Sequence, residues 1–247
     1  MVVRVYFLGT GGAGSHVSRG YPAYLVETND SLILVDAGMR VEAKLRELGF
    51  SVCDITAVLI SHRHYDHTTG LLGLLDLQLE EQCNRPLTVY APRDAVDRIL
   101  AVKEILGPRS APRPVVKPLR ESEVERLSFN GTRVESFPVS HSVPTLGFSI
   151  EYDNTRIVYS GDTQPCSTVE ERANNAQLLL HEASFPSKFK HIAKITKHTI
   201  VEEAVRIGAR AELLALIHIT HVAEDEARKT VGKRIIVPVD GLVITIS

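Results

Sequence analysis

No C-x-x-C pair occurs in this 247-residue chain, and its three cysteines, Cys53, Cys83 and Cys166, stand at unrelated spacings. That argues against cysteine-built zinc sites and disulfide scaffolds. An odd, unpaired set is expected to remain as reduced thiols in a cytoplasmic protein. Long apolar runs are also missing. Nothing reaches the length of a bilayer span and no signal peptide is visible, so no membrane partner is expected. Nor is there an excess of one charge. Lys and Arg total 28 against 30 for Asp and Glu, a formal net charge of −2. No global field draws polyanions, and any nucleic-acid contact must come from a local basic patch. Tryptophan is absent, Asn and Gln are scarce, and Arg outnumbers Lys, a balance towards which proteins of hot environments lean. What remains is ample for a core: 44% of residues are hydrophobic, and the length fits one large domain or two small ones.

Against these absences stands a crowd of imidazoles. His62-Arg63-His64-Tyr65-Asp66-His67 puts three histidines and a carboxylate into six residues, directly after the apolar run at 55–60. A buried strand ending in H-x-H-x-D-H sets four candidate ligands on one turn. Imidazole and carboxylate suit Zn²⁺ and comparable first-row metals. Without cysteine, the cluster reads as a catalytic site with an open position. A His-rich polar loop is the bland alternative, and alternating spacing at a strand end argues against it.

Residues 3–8, 23–27 and 32–36 read as strands, with Asn29-Asp30 turning the chain between the last two. Residues 41–48 have helical spacing and stop at Gly49, a C-cap. A buried strand over 55–61 runs into the histidine motif, an apolar helix over 71–79 packs beneath it, and a strand at 87–90 precedes a helix around 94–106. Residues 108–120, rich in Pro and Arg, are expected to form a loop. Its Arg109, Arg113, Lys117 and Arg120 would contact substrate, a partner subunit or nothing. Further strands are expected at 134–139, 147–152 and 156–160, with a hairpin turn at Asp153-Asn154, and at 178–181 and 213–219. A helix over 200–207 takes Thr199 as its N-cap, and 237–246 closes a sheet edge. Two halves of mixed strands and helices, roughly 1–125 and 126–247, fit an α/β fold of two sheets flanked by helices.

The order of motifs resembles that of the metallo-β-lactamase superfamily over nearly the whole chain. H-x-H-x-D-H at 62–67 is similar to that family's main motif. Val5-Tyr6-Phe7-Leu8-Gly9-Thr10-Gly11-Gly12 resembles its first strand and Gly loop, and the run closing in Asp36-Ala37-Gly38 resembles its next strand. Val139-Ser140-His141 resembles the isolated ligand histidine, Tyr159-Ser160-Gly161-Asp162-Thr163 the G-D-T turn, and Leu216-Ile217-His218-Ile219-Thr220 the final ligand histidine. Motifs in this order are specific where any one alone is weak. Leu180-His181-Glu182-Ala183-Ser184-Phe185 further resembles the H-E-A-T-F motif of ribonuclease Z, the tRNA 3′-processing endonuclease, and Lys197-His198-Thr199 its histidine motif.

The resemblance implies one metallo-β-lactamase-fold domain over 1–247, a four-layer αββα sandwich with two divalent metal ions at one edge between the sheets. It implies His62, His64 and His141 on one ion, Asp66, His67 and His218 on the second, and Asp162 bridging both. Zinc is the first choice, manganese or iron the next. Asp66 would also orient or deprotonate the attacking water. His198 would give a proton to the leaving oxygen while Glu182 orients it. His181 is expected to be structural or supporting, and His16 and His191 to be surface residues. His221 stands open between the surface and the site.

Bacterial ribonuclease Z carries a tRNA-gripping arm between the isolated histidine and the G-D-T turn. Here only twenty residues lie between His141 and Asp162, so that arm is absent. The family's D-C-G-E-G-T-Q run is replaced by Asp36-Ala37-Gly38-Met39-Arg40-Val41. The leading expectation is a ribonuclease Z-like phosphodiesterase acting on RNA, with pre-tRNA first. Its rival is a small-molecule phosphodiesterase for cyclic nucleotides or aryl diesters, which the missing arm favours. Thioester or lactone hydrolysis would not need the acid pair, since a thiolate leaves without a proton donor. A non-catalytic, metal-stabilised RNA-binding protein would need neither the pair nor an open site. Lys188, Lys190, Lys194 and Lys197, interleaved with Phe185 and Phe189, either hold a phosphate backbone or form a solvated loop. A homodimer is compatible with all of these.

Overall fold

Period-2 sorting of apolar side chains builds the layers. The computed structural model describes residues 2–14, 17–106 and 113–246. In chain order it begins with β1 (Val3–Gly9), β2 (Ala23–Glu27), β3 (Leu32–Val35), α1 (Val41–Glu47), β4 (Ala57–Leu59), α2 (Tyr65–Thr68), α3 (Leu71–Glu80), β5 (Thr88–Pro92), α4 (Arg93–Leu106) and β6 (Val115–Leu119). It continues with β7 (Glu125–Phe129), β8 (Thr132–Pro138), β9 (Leu146–Tyr152), β10 (Thr155–Tyr159), α5 (Ser167–Ala173), β11 (Leu178–Glu182), α6 (Lys190–Thr196), α7 (Val201–Gly208), β12 (Leu213–Ile217), α8 (Glu224–Lys229), β13 (Ile235–Ile236) and β14 (Val243–Ile246).

Among the described residues there are two seven-stranded sheets, ordered β14-β1-β2-β3-β4-β5-β6 and β13-β12-β11-β10-β9-β8-β7. Val5, Phe7, Tyr24, Val26, Ile33 and Val35 of the first meet Phe148, Ile150, Leu178, Leu180 and Ile217 of the second. The alternate positions face outward. Leu25, Leu34 and Val58 pack under Leu45 of α1 and Leu74 of α3. Leu179, Leu214 and Leu216 pack under Val169 of α5 and Val201, Ala204 and Ile207 of α7. The α7 residues follow helical spacing, so one stripe buries while Glu202, Glu203 and Arg206 stay outside its apolar face. The result is two sheets flanked by helices, the αββα sandwich that the resemblance implied. Helix α1 ends as expected at Gly49. Its N–H bonds Arg46 O (3.0 Å) and the Phe50 N–H bonds Leu45 O (2.9 Å), a Schellman closure that uses the left-handed φ of +80° at Gly49.

Strands β3 to β6 pair in parallel, as do β10 to β13. Strands β1 and β8 each run parallel to these sets through two antiparallel steps. The carboxyl ends of β1, β3, β4, β8, β10, β11 and β12 therefore open on one edge, where α/β sheets place their ligands. Main-chain bonds tie the sheets together there: Leu146 N–H to Ser61 O (2.9 Å) and Ile219 N–H to Thr10 O (3.1 Å).

Four local expectations are corrected. Residues 108–120 are not all loop: Val115 to Leu119 pair with Thr88 to Pro92 as β6. β6 is an edge strand, where Pro118 removes no ladder bond the sheet needs. Arg109 lies outside the described residues. Arg113 meets Glu104, Arg120 meets Glu123 and Glu125, and Lys117 meets the Tyr90 hydroxyl, so these three side chains have partners within the chain. Only Val243–Ile246 of the expected 237–246 strand forms a ladder. Before it, Asp240 instead accepts Thr10 N–H (3.0 Å) and the Thr10 hydroxyl (2.8 Å). Helix α7 is capped by Ile200 with no side-chain bond, because the Thr199 hydroxyl donates to Thr163 O at 2.6 Å. Finally, Cys53 and Cys83 form a disulfide across 30 residues, leaving Cys166 free. The reduced-thiol expectation fails because the fold, not the spacing, brings these two together. Among the described residues, no helix is long and apolar enough to cross a membrane.

Candidate metal centre and acid pair

Strand β4 ends at Leu59, shorter than the expected 55–61, and the chain passes through buried Ile60 and Ser61 into α2. His62 precedes the turn, His64 is the N-cap of α2, and Asp66 and His67 lie in its first turn. His141 follows β8, Asp162 follows β10, and His218 follows β12 with a left-handed φ of +53°. The structure brings all seven together and buries six, with His64 half-exposed. In one group, His64 Nδ1 lies 2.9 Å from His62 Nε2 and 3.3 Å from His141 Nε2. Asp162 Oδ2 stands 3.7 and 4.0 Å from those Nε2 atoms. In the other, Asp66 Oδ2 is 3.5 Å from His67 Nε2 and 3.4 Å from His218 Nε2. Asp162 Oδ2 is 3.4 and 3.3 Å from the same two nitrogens. Two ligands at about 2.0–2.1 Å from one zinc lie roughly 3.3–3.4 Å apart, so both groups have the spacing of ligand atoms around an ion. Asp162 belongs to both.

Two further observations fit a metal. His67 Nε2 and Asp162 Oδ1 are buried without a hydrogen-bond partner, a cost of about 1–3 kcal/mol each unless something else satisfies them. Charge also favours a cation. Burial, then the charges of neighbouring imidazoles, pushes His62 well below the usual histidine range and His64 down to about 4. Burial likewise lowers His141. Each shift favours the neutral ring, whose lone pair suits a metal. Burial opposes charge on His67 as well, but Asp162, Asp66 and Asp36 outweigh it and raise its pKa well above the usual range. Burial works against the Asp162 carboxylate, yet His218 and His67 hold it well below the ordinary carboxylate range. The two His/Asp groups thus fit a dinuclear metal centre.

Beside them, Glu182 ends β11 fully buried. Its Oε1 accepts His198 Nδ1–H and Thr163 N–H, each at 2.8 Å. Its Oε2 accepts the Ser184 hydroxyl (2.6 Å) and the Ser184 and Thr199 N–H groups (both 3.2 Å). Burial pushes Glu182 up, but the His198 charge and hydrogen bond outweigh it and keep the carboxylate ionised. Burial opposes charge on His198; the Glu182 carboxylate and its hydrogen bond overcome that and raise its pKa to about 9. The His198 ring lies 4.8 Å from His141 and 5.5 Å from His218. With Nδ1 held by Glu182, Nε2 remains to meet a substrate.

Other histidines fall outside this arrangement. His181 is buried on the opposite face of β11 and donates Nδ1–H to Glu182 O at 2.7 Å. His191 and His221 are exposed, and His16 lies outside the described residues. Sequence reading missed the residues that hold the ligands in place. Asp36 Oδ2 accepts His67 Nδ1–H (2.7 Å), the Tyr159 hydroxyl (2.6 Å) and the Ser61 hydroxyl (2.8 Å). Lys197 O accepts His141 Nδ1–H at 3.0 Å. A carboxylate closing an apolar strand, as Asp36 does, was the available signal.

Comparison with known proteins matches this architecture. The ribonuclease Z of Ignicoccus hospitalis is 28% identical, covering 95% of this chain and 94% of that protein. That alignment spans 284 positions, more than this chain's 247 residues, so the relative carries segments this chain lacks. The structure of human tRNase Z, short form, superposes with a TM-score of 0.82 at 25% identity, over 98% of both chains. The metallo-β-lactamase-fold protein YhfI from Bacillus subtilis shares the fold with a TM-score of 0.83 at 21% identity, over 99% of both. The family model of the beta-lactamase superfamily domain matches residues 32–219, a span that holds every side chain of the metal centre and the acid pair. On that match, the chain belongs to the beta-lactamase superfamily.

Proposed function

We propose that this protein is a dinuclear metal-dependent phosphodiesterase of the ribonuclease Z type, cleaving pre-tRNA at its 3′ end. The observation that carries the reading is the Glu182–His198 pair, 2.8 Å apart, with Glu182 buried and His198 partly open to solvent beside the two His/Asp groups. A phosphodiester leaving as an alkoxide needs a proton, and a histidine held by a carboxylate supplies one. The likeness to ribonuclease Z over 95% of the chain supports the same substrate class. RNA processing would place the protein in the cytoplasm.

In this reading His62, His64 and His141 would hold one ion and Asp66, His67 and His218 the other, with Asp162 contributing to both groups. Zinc is the favoured metal, with manganese or iron next. Such a pair, when bound, supplies Lewis-acid charge stabilisation and lowers the pKa of water. The chain's own residues do the rest. Asp66 orients the attacking water and takes its proton. His198 passes its Nε2 proton to the leaving oxygen as the P–O bond breaks, and Glu182 holds the ring while it is charged. Protein purified without chelator is expected to carry close to two equivalents of Zn, Mn and Fe combined. Elemental analysis that reproducibly finds fewer than two under metal-replete conditions would overturn the two-ion assignment: one ion would remove half of it, and none would remove it whole.

Lys188, Lys190, Lys194 and Lys197 are exposed along the turn and helix leading to His198. Lys190 pairs with Glu203 at 2.8 Å while staying largely open to solvent. Replacing all four with alanine should weaken RNA binding and flatten its salt dependence by roughly 0.7 per lost contact. Hydrolysis of a small aryl diester should stay nearly unchanged. Equal salt slopes for both proteins would take the lysines out of RNA binding.

One observation favours a small diester as substrate instead. The segment between His141 and Asp162 is filled by β9, β10 and a tight turn at Asp153-Asn154, with no room for an arm. Assays on pre-tRNA, a cyclic nucleotide and an aryl phosphodiester, run side by side, discriminate the two. We include a homodimer in the proposal, supported by the exposed Val102, Ile105 and Leu106 of α4.

A further inference from the structure

Each half of the molecule contains the same three-part relay at the site edge. In the first, the Ser61 hydroxyl donates to Asp36 Oδ2 (2.8 Å) and lies 3.0 Å from His62 Nδ1. In the second, the Ser184 hydroxyl donates to Glu182 Oε2 (2.6 Å) and lies 2.8 Å from His218 Nδ1. All six residues are buried. We propose that Ser61 and Ser184 are positioning residues that fix the tautomer of one ligand histidine in each half, and so set the affinity of the two ions separately. The inference rests on the metal assignment proposed above.

The direction of each relay follows from donor and acceptor capacity. An ionised carboxylate only accepts, so the serine's single proton goes to it. The serine oxygen then has only lone pairs to offer the histidine, and Nδ1 must carry the ring proton. That leaves Nε2 with its lone pair. In His218 this atom faces Asp66 Oδ2 and Asp162 Oδ2 at 3.4 and 3.3 Å. In His62 it faces His64 Nδ1 at 2.9 Å. Two competitors are weaker: Ser184 Oγ also lies 3.3 Å from His198 Nδ1, and Ser61 Oγ 3.4 Å from His67 Nδ1. Both of those nitrogens have a shorter bond to a carboxylate, at 2.8 and 2.7 Å.

Ring position is secured separately. A Cβ on Gly12 would stand 2.7 Å from both Cε1 and Nδ1 of His218. The Gly12 backbone therefore walls one face of the ring. Removing the Ser184 hydroxyl should change which nitrogen carries the proton without freeing the ring to swing away. The Glu182–His198 bond does not pass through Ser184, so proton donation should survive the same change.

Competition titrations of Zn²⁺ against a chromophoric chelator test this on wild type, Ser61→Ala, Ser184→Ala and the double variant. Each single variant should retain one ion at wild-type affinity and hold the other about 10–100-fold more weakly, the usual cost of losing a partner to a metal-bound histidine. The double variant should weaken both, and Ser184→Thr, which keeps a hydroxyl, should recover most of the loss. At saturating zinc, Ser184→Ala should keep the wild-type ratio of rates on poor and good leaving groups. Two ions at wild-type affinity in either single variant would overturn the role of that serine. A wild type that binds fewer than two ions would overturn the metal assignment and this inference with it. Retained affinity for the remaining ion distinguishes a lost relay from a misfolded protein.

Discussion

His198→Ala should slow cleavage of a diester with a poor alkoxide leaving group by about 10²–10⁴-fold, the range of general acid catalysis. The rate on a nitrophenyl diester should fall far less, because nitrophenolate leaves with little need of a proton. The geometry makes the contrast sharp. Glu182 has five donors within 3.2 Å, and only one of them belongs to His198. Four bonds therefore remain to hold the carboxylate in place when the imidazole is removed. Metal content should stay at the wild-type value, since the contacts of Asp162, Asp66 and His218 with one another do not involve His198. Measuring kcat on both substrates with metal content in the same preparations decides the matter. Equal losses on the two leaving groups would show that His198 does not donate the proton.

Reduction of the Cys53–Cys83 disulfide, or Cys83→Ser, should lower unfolding stability by about 3–4 kcal/mol, as expected for cross-linking a loop of this length. In a chain of this size that is roughly 6–15 °C in Tm. The loop it closes spans 30 residues and contains β4, the 62–67 motif and α3. The bond thus joins the turn before β4 to the end of α3, bracketing four of the seven clustered side chains. Thiol titration should find one reactive cysteine, Cys166, before reduction and all three after it with denaturant. Three thiols in the untreated, unfolded protein, with the same Tm in the presence and absence of reductant, would remove the disulfide from the account.

Much of this was legible in the sequence because its signals are local. An apolar run followed by H-x-H-x-D-H specifies a buried strand and the polar turn after it, and the structure places β4 and α2 there. His141, Asp162, Glu182 and His218 were located by the order of motifs the resemblance supplied, and the structure places each at or just beyond the end of a buried strand. Parallel strand ends converge, so these residues meet. Proline misled where topology mattered. Pro118 reads as a loop signal in sequence and sits without penalty in β6, because among the described residues no strand pairs beyond that edge. Thr199 has a cap residue's chemistry, but its hydroxyl found Thr163 O, 36 residues away, before its own helix.

The chain by itself determined which side chains carry charge and lone pairs, and that buried strands would present them at their ends. Tertiary structure alone decided their partners. Tyr159 reaches Asp36 across 123 positions, Ser184 reaches His218 across 34, and Cys53 finds Cys83 across 30. Periodicity fixes which face of a strand a residue occupies. Which residue lies opposite depends on strand order and on how one sheet sits over the other, and those are set by the collective burial of two apolar faces rather than by any local run of residues.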